Sequence, residues 1–226
     1  MAEDRWTEVD NYLSNKLVGA DPILESALDA ATAADLPAIA VSANQGKFLQ
    51  LLARMIGARS ILEIGTLGGY STIWLARALG AEGRLITLEI DPKHAEVAKA
   101  SIRRADLQDV VEVRVGNALE TLPQLAKEQV GPFDLIFIDA DKENIPAYFD
   151  WALKMSRAGS VIVVDNVVRD GEVAKADTTD PRVQGVRRFI ESLASDTRAT
   201  GTVIQTVGTK GYDGFAIVLV GQAGES

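Results

Sequence analysis

The stretch that decides the fold is Ser60-Ile-Leu-Glu-Ile-Gly-Thr-Leu-Gly-Gly-Tyr-Ser-Thr72, where a short apolar run ends in glycines and turns helical. Residues 60–65 have the composition of a buried strand. Residues 72–79 carry apolar side chains three and four positions apart, which is the spacing of a helix. The same change from strand to helix recurs along the chain. It predicts further strands at 84–89, 110–116, 133–139 and 159–165, and further helices at 92–105, 118–129 and 145–155.

Strand–helix units in succession predict an α/β protein with a Rossmann-like, doubly wound sheet, because parallel strands need helical crossovers. Two more strands are predicted at 202–207 and 215–220. The connection between them is too short for a helix, so this last pair is expected to be antiparallel. The sheet should therefore have seven strands, mostly parallel. We expect one domain over residues 1–226, with 1–57 as a helical extension or lid and 58–226 as the core.

Composition and charge exclude several classes of protein. The 226 residues contain no cysteine, which excludes a disulfide framework, a thiolate zinc site and a thiol nucleophile. Lysine and arginine number 23 against 32 acidic residues, for a net charge of −9, which argues against nucleic acid as a partner. The first residues are acidic, unlike a signal peptide, and no apolar run reaches membrane-span length. These features predict a cytoplasmic, soluble protein with no membrane partner.

The glycine turn after the first predicted strand is a candidate cofactor site. Such a turn lets a ligand approach the backbone and the free N–H groups of the next helix, although many α/β proteins place glycine there. The dinucleotide pattern G-x-G-x-x-G is absent because position 67 is leucine. Glu63 would repel a pyrophosphate but accept a sulfonium or an ammonium group. Glu89 suits ribose hydroxyls, and the turn before Ala118 suits an adenine edge. The ligand that combines these features is S-adenosylmethionine.

Oxygen-bearing side chains follow predicted strands four and five. Asp139 ends the fourth strand, and Asp165 and Asn166 end the fifth. In a doubly wound sheet these strands are neighbours and ligands bind beyond their carboxyl ends, so we expect the three side chains to converge. Oxygen ligands favour a hard divalent cation, Mg²⁺ first, with Ca²⁺ or Mn²⁺ as alternatives. The other interpretation is that these residues cap helices or turns. Two adjacent strand ends of this kind favour the metal site.

Two residues are candidates for a general base. Lys142 follows Asp139 by three positions, and a lysine beside a dication can act as a base at neutral pH. The alternative for Lys142 is a solvated surface charge. His94 is the rival base, but it falls in the helix after strand two, on the cofactor side of the sheet. We therefore favour Lys142.

These motifs resemble those of the small metal-dependent O-methyltransferases, the group that includes the caffeoyl-CoA and catechol O-methyltransferases, and most of all the caffeoyl-CoA type and its bacterial relatives. The resemblance covers nearly the whole chain. It rests on Ser42-Ala43-Asn44-Gln45-Gly46-Lys47-Phe48, Glu63-Ile64-Gly65, Gly68-Gly69-Tyr70-Ser71, Ile138-Asp139-Ala140-Asp141-Lys142, Val164-Asp165-Asn166-Val167-Val168 and Asp213-Gly214. The Asp-Ala-Asp-Lys and Asp-Asn segments are specific at this separation, whereas the glycine turn is not.

The resemblance implies a role for each matching residue. The residues implied for cofactor binding are Val41 (through its backbone), Glu63, Gly65, Thr66 and Ser71 around the methionine part, Glu89 at the ribose, Ala118 at the adenine, Asp141 at the amino group, and Asp139. The implied metal ligands are Asp139, Asp165 and Asn166, and the implied catalytic residues are Lys142 as base and Asp139. Asp139 and Asp170 are the implied substrate contacts. Asp170 stands where plant relatives place a substrate-binding asparagine, and the loop around it is not notably basic, which argues against a coenzyme A thioester.

The expected reaction is metal-dependent transfer of a methyl group from S-adenosylmethionine to a hydroxyl of a catechol-like small aromatic molecule, by in-line displacement. One alternative is an N-methyltransferase acting on nucleic acid or protein, whose Asn/Asp-Pro-Pro-aromatic motif residues 144–148 only echo. Another is a non-catalytic nucleotide-binding module with the same fold. The family resemblance also implies a homodimer formed through the C-terminal hairpin and the N-terminal helices.

Overall fold

The structure is a computed structural model, and it describes residues 2–221. The helices are α1 Ala2–Leu13, α2 Pro22–Ala33, α3 Ala43–Met55, α4 Tyr70–Ala76, α5 Pro92–Arg104, α6 Ala118–Lys127, α7 Ile145–Lys154 and α8 Pro181–Ser195. The strands are β1 Ser60–Ile64, β2 Arg84–Glu89, β3 Val111–Val115, β4 Phe133–Ile138, β5 Ser156–Asp165, β6 Ala199–Gly208 and β7 Gly211–Val220. A π-helical turn, Ser14–Val18, follows α1, and 3₁₀ turns lie at Lys142–Asn144 and Glu172–Ala174. Among residues 2–221, no helix has the length and apolar character that crossing a membrane requires.

The seven strands form one sheet in the order β3-β2-β1-β4-β5-β7-β6. Strands β1 to β5 pair in parallel, and β7 joins β5 and β6 in antiparallel fashion. This arrangement confirms the predicted Rossmann-like, doubly wound fold. The connections from β1 and from β4 leave in opposite directions across the sheet, so the carboxyl ends of these strands border the crevice where such folds bind ligands.

The sheet is buried on both faces, as expected for parallel strands covered by helices. Leu62 and Ile64 of β1 contribute to one apolar cluster, and Ile61 contributes to the other. All three are fully buried. Burial of each such side chain stabilises the fold by about 1.5–3 kcal/mol. Glu63 lies between them on the strand, so a carboxylate occupies a position where the pattern demands an apolar residue.

Polar side chains fix where several helices begin. The N-cap residues whose side-chain oxygens accept a backbone N–H of the first turn are Asp21, Ser42, Asp91, Asn117 and Asp180. Each cap is worth about 1 kcal/mol. Proline follows the cap in α2, α5 and α8, where its missing N–H costs nothing. The predicted start of α5 at residue 92 agrees with the structure.

The C-terminal hairpin is longer than predicted. Strands β6 and β7 pair from Ala199 with Val220 through to Gly208 with Gly211, so only Thr209 and Lys210 form the turn. The outer half of β6 is polar and exposed, and a search for apolar runs therefore misses it. Helix α8 lies outside the helices that the sequence pattern predicts.

Candidate active site

Two carboxylates and a lysine meet at the carboxyl edge of the sheet. Asp139 follows β4 and Asp165 ends β5, and the pairing of Ile138 with Val164 sets the two aspartates side by side. The Nζ of Lys142 donates a hydrogen bond to Oδ1 of Asp139 at 2.8 Å. Lys142 is only 9% exposed and Asp165 only 5%. Burial, together with repulsion from Asp139, raises the pKa of Asp165, and the charge of Lys142 opposes that shift. The carboxylates of Asp139 and Asp165 therefore lie close together at a largely buried strand edge.

Two neighbours orient Asp165. The backbone N–H of Asn166 donates to its Oδ1 at 2.8 Å. The side chain of Gln45, in the first turn of α3, faces the same carboxylate and acts to lower its pKa. Asn166 itself has a φ of 57°, in the left-handed region that asparagine tolerates better than most residues. The end of β5 therefore has a defined and partly strained geometry.

The donor set at these strand ends fits a divalent cation. Asp139 and Asp165 supply carboxylate oxygens, and the amide of Asn166 can supply a third oxygen, which is the chemistry that Mg²⁺, Mn²⁺ and Ca²⁺ prefer. A dication would also relieve the repulsion that raises the pKa of Asp165. Within residues 2–221, no group of three or more His, Cys, Asp or Glu side chains is placed to hold a metal ion. A metal site at these strand ends therefore needs the amide oxygen of Asn166 as a third ligand.

Glu63 is a fully buried carboxylate surrounded by hydroxyl groups. Ser71 Oγ donates to its Oε1 at 2.7 Å, and Thr87 Oγ1 donates to its Oε2 at 2.7 Å. Thr72 Oγ1 also donates to Oε2. Burial raises the pKa of Glu63 to about 7, and the three hydroxyl groups counteract part of that rise. A cationic ligand nearby would favour the ionised form.

Glu89, expected at the ribose, also holds the glycine turn. Its Oε2 accepts the backbone N–H groups of Thr66 at 3.1 Å and Leu67 at 2.8 Å. Its Oε1 accepts the N–H of Asp91 at 3.0 Å. Leu67 has a φ of 52°, so Glu89 stabilises a backbone conformation that leucine rarely adopts. His94 Nδ1 lies 3.6 Å from Oε1 of the same carboxylate.

Gly65 brings the glycine turn after β1 into contact with the chain that follows β4. A Cβ at this position would lie 2.0 Å from the carbonyl oxygen of Asp139. The φ of Gly65 is 100°, a conformation open to glycine alone. The backbone N–H of Asp139 donates to the carbonyl of Ile64 at 2.8 Å. The ends of β1 and β4 therefore touch through their main chains.

Asp141 is exposed and held by two side chains of the following turn and helix. Asn144 Nδ2 donates to its Oδ2 at 2.6 Å, and the hydroxyl of Tyr148 donates to its Oδ1. Burial and the adjacent carboxylate raise the pKa of Tyr148. Residues 144 and 148, which echoed an N-methyltransferase motif in the sequence, thus orient Asp141 in the structure.

The remaining predicted site residues lie around this edge without joining the cluster. Val41 is buried immediately before α3, and Ala118 opens α6 beyond the end of β3. Asp170 is exposed in the loop after β5, with a φ of 54°. The topology places all three at the carboxyl side of the sheet.

The chain is similar in sequence to proteins of one enzyme family. The family model described as "O-methyltransferase" matches residues 15–219. The chain belongs to this O-methyltransferase family. Two similar relatives are catechol O-methyltransferases: one from Niastella koreensis is 55% identical over 95% of this chain and 97% of the relative. The other, from Mycobacterium tuberculosis, is 57% identical over 94% of this chain and 95% of the relative.

A solved structure agrees with this O-methyltransferase in fold. The O-methyltransferase from Bacillus cereus, in complex with S-adenosylhomocysteine (SAH), is 58% identical with a TM-score of 0.95, covering 96% of this chain and 99% of the other. The predictions of the family and of an S-adenosylmethionine-dependent O-methyltransferase are confirmed. Transfer to oxygen is thereby favoured over the N-methyltransferase alternative.

Sequence reasoning missed several residues that this O-methyltransferase places at its site. Gln45 and Asp213 lie in segments that carried the family resemblance, but no role was assigned to either. Asn144 and Tyr148 stand in a segment that only echoes an N-methyltransferase motif, and the sequence gives them no other role. Thr72 and Thr87 could have been found from the burial of Glu63, because a buried carboxylate needs hydrogen-bond donors.

Proposed function

We propose that this enzyme methylates one hydroxyl of a catechol-like small molecule in a reaction that depends on a divalent cation, with Mg²⁺ as the natural choice. The observation that carries the proposal is the pair of carboxylates, Asp139 and Asp165, on adjacent strand ends with Lys142 in contact with the first. Relatives at 55% and 57% identity are named catechol O-methyltransferases, which supports the same class of acceptor.

Asp139, Asp165 and Asn166 would hold the cation. When bound, a divalent cation supplies chelation of two vicinal oxygens and a lower pKa for the hydroxyl that reacts. The chain's own contribution is a fixed set of oxygens at the crevice, one of them already oriented by the backbone N–H of Asn166. A substrate with a single phenol hydroxyl would lose half of this chelation.

Lys142 would accept the hydroxyl proton at Nζ as a neutral amine, a form that a dication beside it would favour by repelling the ammonium. Its contact with Asp139 fixes the amine beside the same carboxylate that would hold the cation. The acceptor oxygen would then attack the methyl carbon in line, and the carbon–sulfur bond would break to release SAH. A positive sulfonium and a negative oxygen disappear together, so a site that excludes water favours the step.

The cofactor would lie along the glycine turn. Glu63, Gly65, Thr66 and Ser71 would surround its methionine part, and Glu89 would meet the ribose. Val41 and Asp139 would also contact it, Asp141 would approach the amino group and Ala118 the adenine. Asp170 would lie near the acceptor. The buried Glu63 supports a cationic ligand, because such a ligand stabilises its ionised form.

The test is SAH release from catechol, from vicinal diols of increasing size and from single phenols, each with Mg²⁺ and with EDTA. We expect turnover of vicinal diols that EDTA abolishes and Mg²⁺ restores. Turnover that is indifferent to EDTA would overturn the cation dependence. Equal rates on single phenols would overturn chelation as the basis of acceptor choice.

We also propose a homodimer. Several apolar side chains of the N-terminal segment and α3 are exposed, among them Leu17 at 69% and Met55 at 72%. Covering them against a second copy would remove this apolar surface from water. Light scattering after gel filtration should give twice the chain mass of 24.2 kDa, and a monomer at micromolar concentration would overturn the proposal.

A further inference from the structure

The loop that follows β5 has an unusual backbone. Asn166, Arg169 and Asp170 have φ angles of 57°, 56° and 54°. Residues other than glycine rarely adopt this conformation, so contacts from the surroundings must hold it. The loop begins at Asn166, a proposed metal ligand. Whatever holds the loop therefore also sets where Asp165 and Asn166 present their oxygens.

Asp213 of β7 is the side chain that holds this loop. Its Oδ1 accepts the backbone N–H groups of Val168 at 3.0 Å, Arg169 at 2.9 Å and Gly214 at 2.9 Å. Its Oδ2 lies 3.7 Å from Nη1 of Arg169. Hydrogen bonds from backbone N–H groups to a carboxylate are stronger than bonds between neutral groups. One side chain thus fixes two successive residues of a strained loop.

The backbone of β7 adds to the same support. The N–H of Val167 donates to the carbonyl of Gly214 at 3.0 Å. A Cβ on Gly214 would lie 2.6 Å from Cγ2 of Val168, so the loop packs directly against the strand. Asp165 pairs with Phe215 in the last rung between β5 and β7. Asp213 therefore lies just beyond the strand end that carries the proposed ligands.

We infer that Asp213 is a positioning residue for the divalent cation, acting through the loop backbone that it holds rather than as a ligand. The inference rests on the proposed cation dependence. Residues that orient metal ligands affect metal affinity by about 10–100-fold in other proteins. We expect Asp213→Ala to weaken cation binding by an amount in this range, and Asp213→Asn to weaken it less, because an amide oxygen can still accept the loop N–H groups.

Asp134 provides a matched control at the opposite edge of the sheet. Its Oδ2 accepts the backbone N–H groups of Arg59 at 2.8 Å and Ser60 at 3.1 Å. Its Oδ1 pairs with Arg157 at 2.5 Å. Asp134 thus makes the same kinds of contact as Asp213, namely two backbone hydrogen bonds from a neighbouring segment and an arginine pair. Asp134→Ala and Asp134→Asn should destabilise the fold without changing cation affinity.

The experiment titrates the purified enzyme with Mn²⁺ alone and measures free Mn²⁺ by electron paramagnetic resonance, so that no turnover is needed. Hydrogen exchange of the segment 166–171 is measured on the same samples. Support is weaker Mn²⁺ binding and faster exchange in the Asp213 variants, with both Asp134 variants binding Mn²⁺ as the wild type does. If Asp213→Ala does not fold, Asp213→Asn carries the test.

The outcomes separate this inference from the proposed function. Wild-type affinity in both Asp213 variants, or an equal loss in the Asp134 variants, overturns the positioning role while leaving cation dependence intact. If the wild type binds no Mn²⁺ and Asp139→Asn behaves identically, the cation dependence fails and the positioning role fails with it.

Discussion

Lys142 and Asp139 form an ion pair of 2.8 Å across one turn of chain, with the lysine side chain almost fully buried. A lysine so placed is oriented by its partner rather than free in solvent. From the sequence alone, the alternative for Lys142 is a solvated surface charge. Its burial contradicts that alternative, because exposed lysines keep their ammonium group in water.

Replacing Lys142 tests its role as the base. We expect Lys142→Met to lower kcat by about 10²–10⁴-fold, the usual contribution of general base catalysis, with SAH affinity nearly unchanged. Quenched assays of SAH formation at saturating Mg²⁺ and substrates measure kcat, and a separate titration with SAH measures its affinity. Lys154→Met is the control, since Lys154 pairs with Asp150 at 2.6 Å on the exposed side of α7. Wild-type kcat in Lys142→Met would exclude the lysine as base.

Cofactor affinity should depend on the ionisation of Glu63. The pKa of Glu63 is about 7 in the folded protein against an ordinary value of 4.5. The folded state therefore binds this proton more tightly, and burial of the carboxylate costs stability increasingly as the pH rises from about 4.5 to about 7. A bound ammonium group offsets that cost by attracting the ionised form. SAH affinity should consequently fall below pH 7, by at most about tenfold per pH unit.

Isothermal titration with SAH at pH 6, 7 and 8, in EDTA, measures this effect. Glu63→Gln should bind SAH more weakly than the wild type at pH 8 and show a flat pH profile. Asp165 also has a raised pKa, so the comparison with Glu63→Gln assigns the slope to one residue. An unchanged slope in Glu63→Gln would show that another group titrates.

The helix α8 should tolerate no side chain at Gly185. A Cβ there would lie 2.2 Å from the carbonyl oxygen of Lys142 and 2.8 Å from Cα of Glu143. Gly185→Ala must therefore displace the turn that carries Lys142, the proposed base. We expect a loss of about 1–3 kcal/mol in the free energy of unfolding, as for other overpacked sites, together with reduced kcat.

Urea denaturation with Gly80→Ala as control measures the loss at Gly185. A Cβ on Gly80 would meet nothing within 4 Å, so this substitution should leave stability nearly unchanged. Identical urea midpoints for the two variants would contradict the close packing of α8 on the turn.

Asp10 should hold α1 against the C-terminal hairpin. Its Oδ2 accepts the backbone N–H of Thr209 at 3.0 Å and the hydroxyl of Thr209 at 2.8 Å. Asn44, at the start of α3, donates to Oδ1. Burial opposes the shift, yet these hydrogen bonds lower the pKa of Asp10 below 3.8. The stabilisation is therefore present at neutral pH and is lost as the pH falls through the lowered pKa.

We expect Asp10→Ala to lower the free energy of unfolding by about 1 kcal/mol, because the hydrogen bonds between Asp10 and Thr209 are partly open to solvent. The same change should speed amide hydrogen exchange in α1. Hydrogen exchange and thermal unfolding at pH 7 are the measurements. Glu8→Ala, an exposed change on the same helix, should alter neither. Slow exchange in α1 of Asp10→Ala would show that apolar packing alone fixes the helix.

The fold was predictable because its signals are local. Glycines and acidic residues at strand ends, apolar runs of strand length and helical spacing between them are all visible in residues 58–165. The predicted strand bounds were less accurate for β6, because polar residues lie on both faces of this strand. Its ends are set by pairing with β7. The antiparallel direction of that pair was still evident from the short connection.

The site was predictable in its residue types and only partly in its contacts. A strand that ends in Asp139 and another that ends in Asp165 and Asn166 point to one edge because parallel strands share a direction. The contacts of Gln45 and Asp213 were not predictable, since each comes from an element far away along the chain. Gln45 faces Asp165, and Asp213 binds the loop after β5, only once α3 and β7 lie beside the sheet.

Primary structure alone therefore specifies the alternation of strands and helices, the chemical class of the site residues and the family resemblance, because these depend on short-range pattern. Tertiary packing decides the rest. It buries Glu63 among three hydroxyl groups and raises its pKa to about 7. It also presses Gly65 against Asp139 and lets Asp213 hold a strained loop. Burial, electrostatic environment and backbone strain are properties of the assembled fold, so no local pattern encodes them.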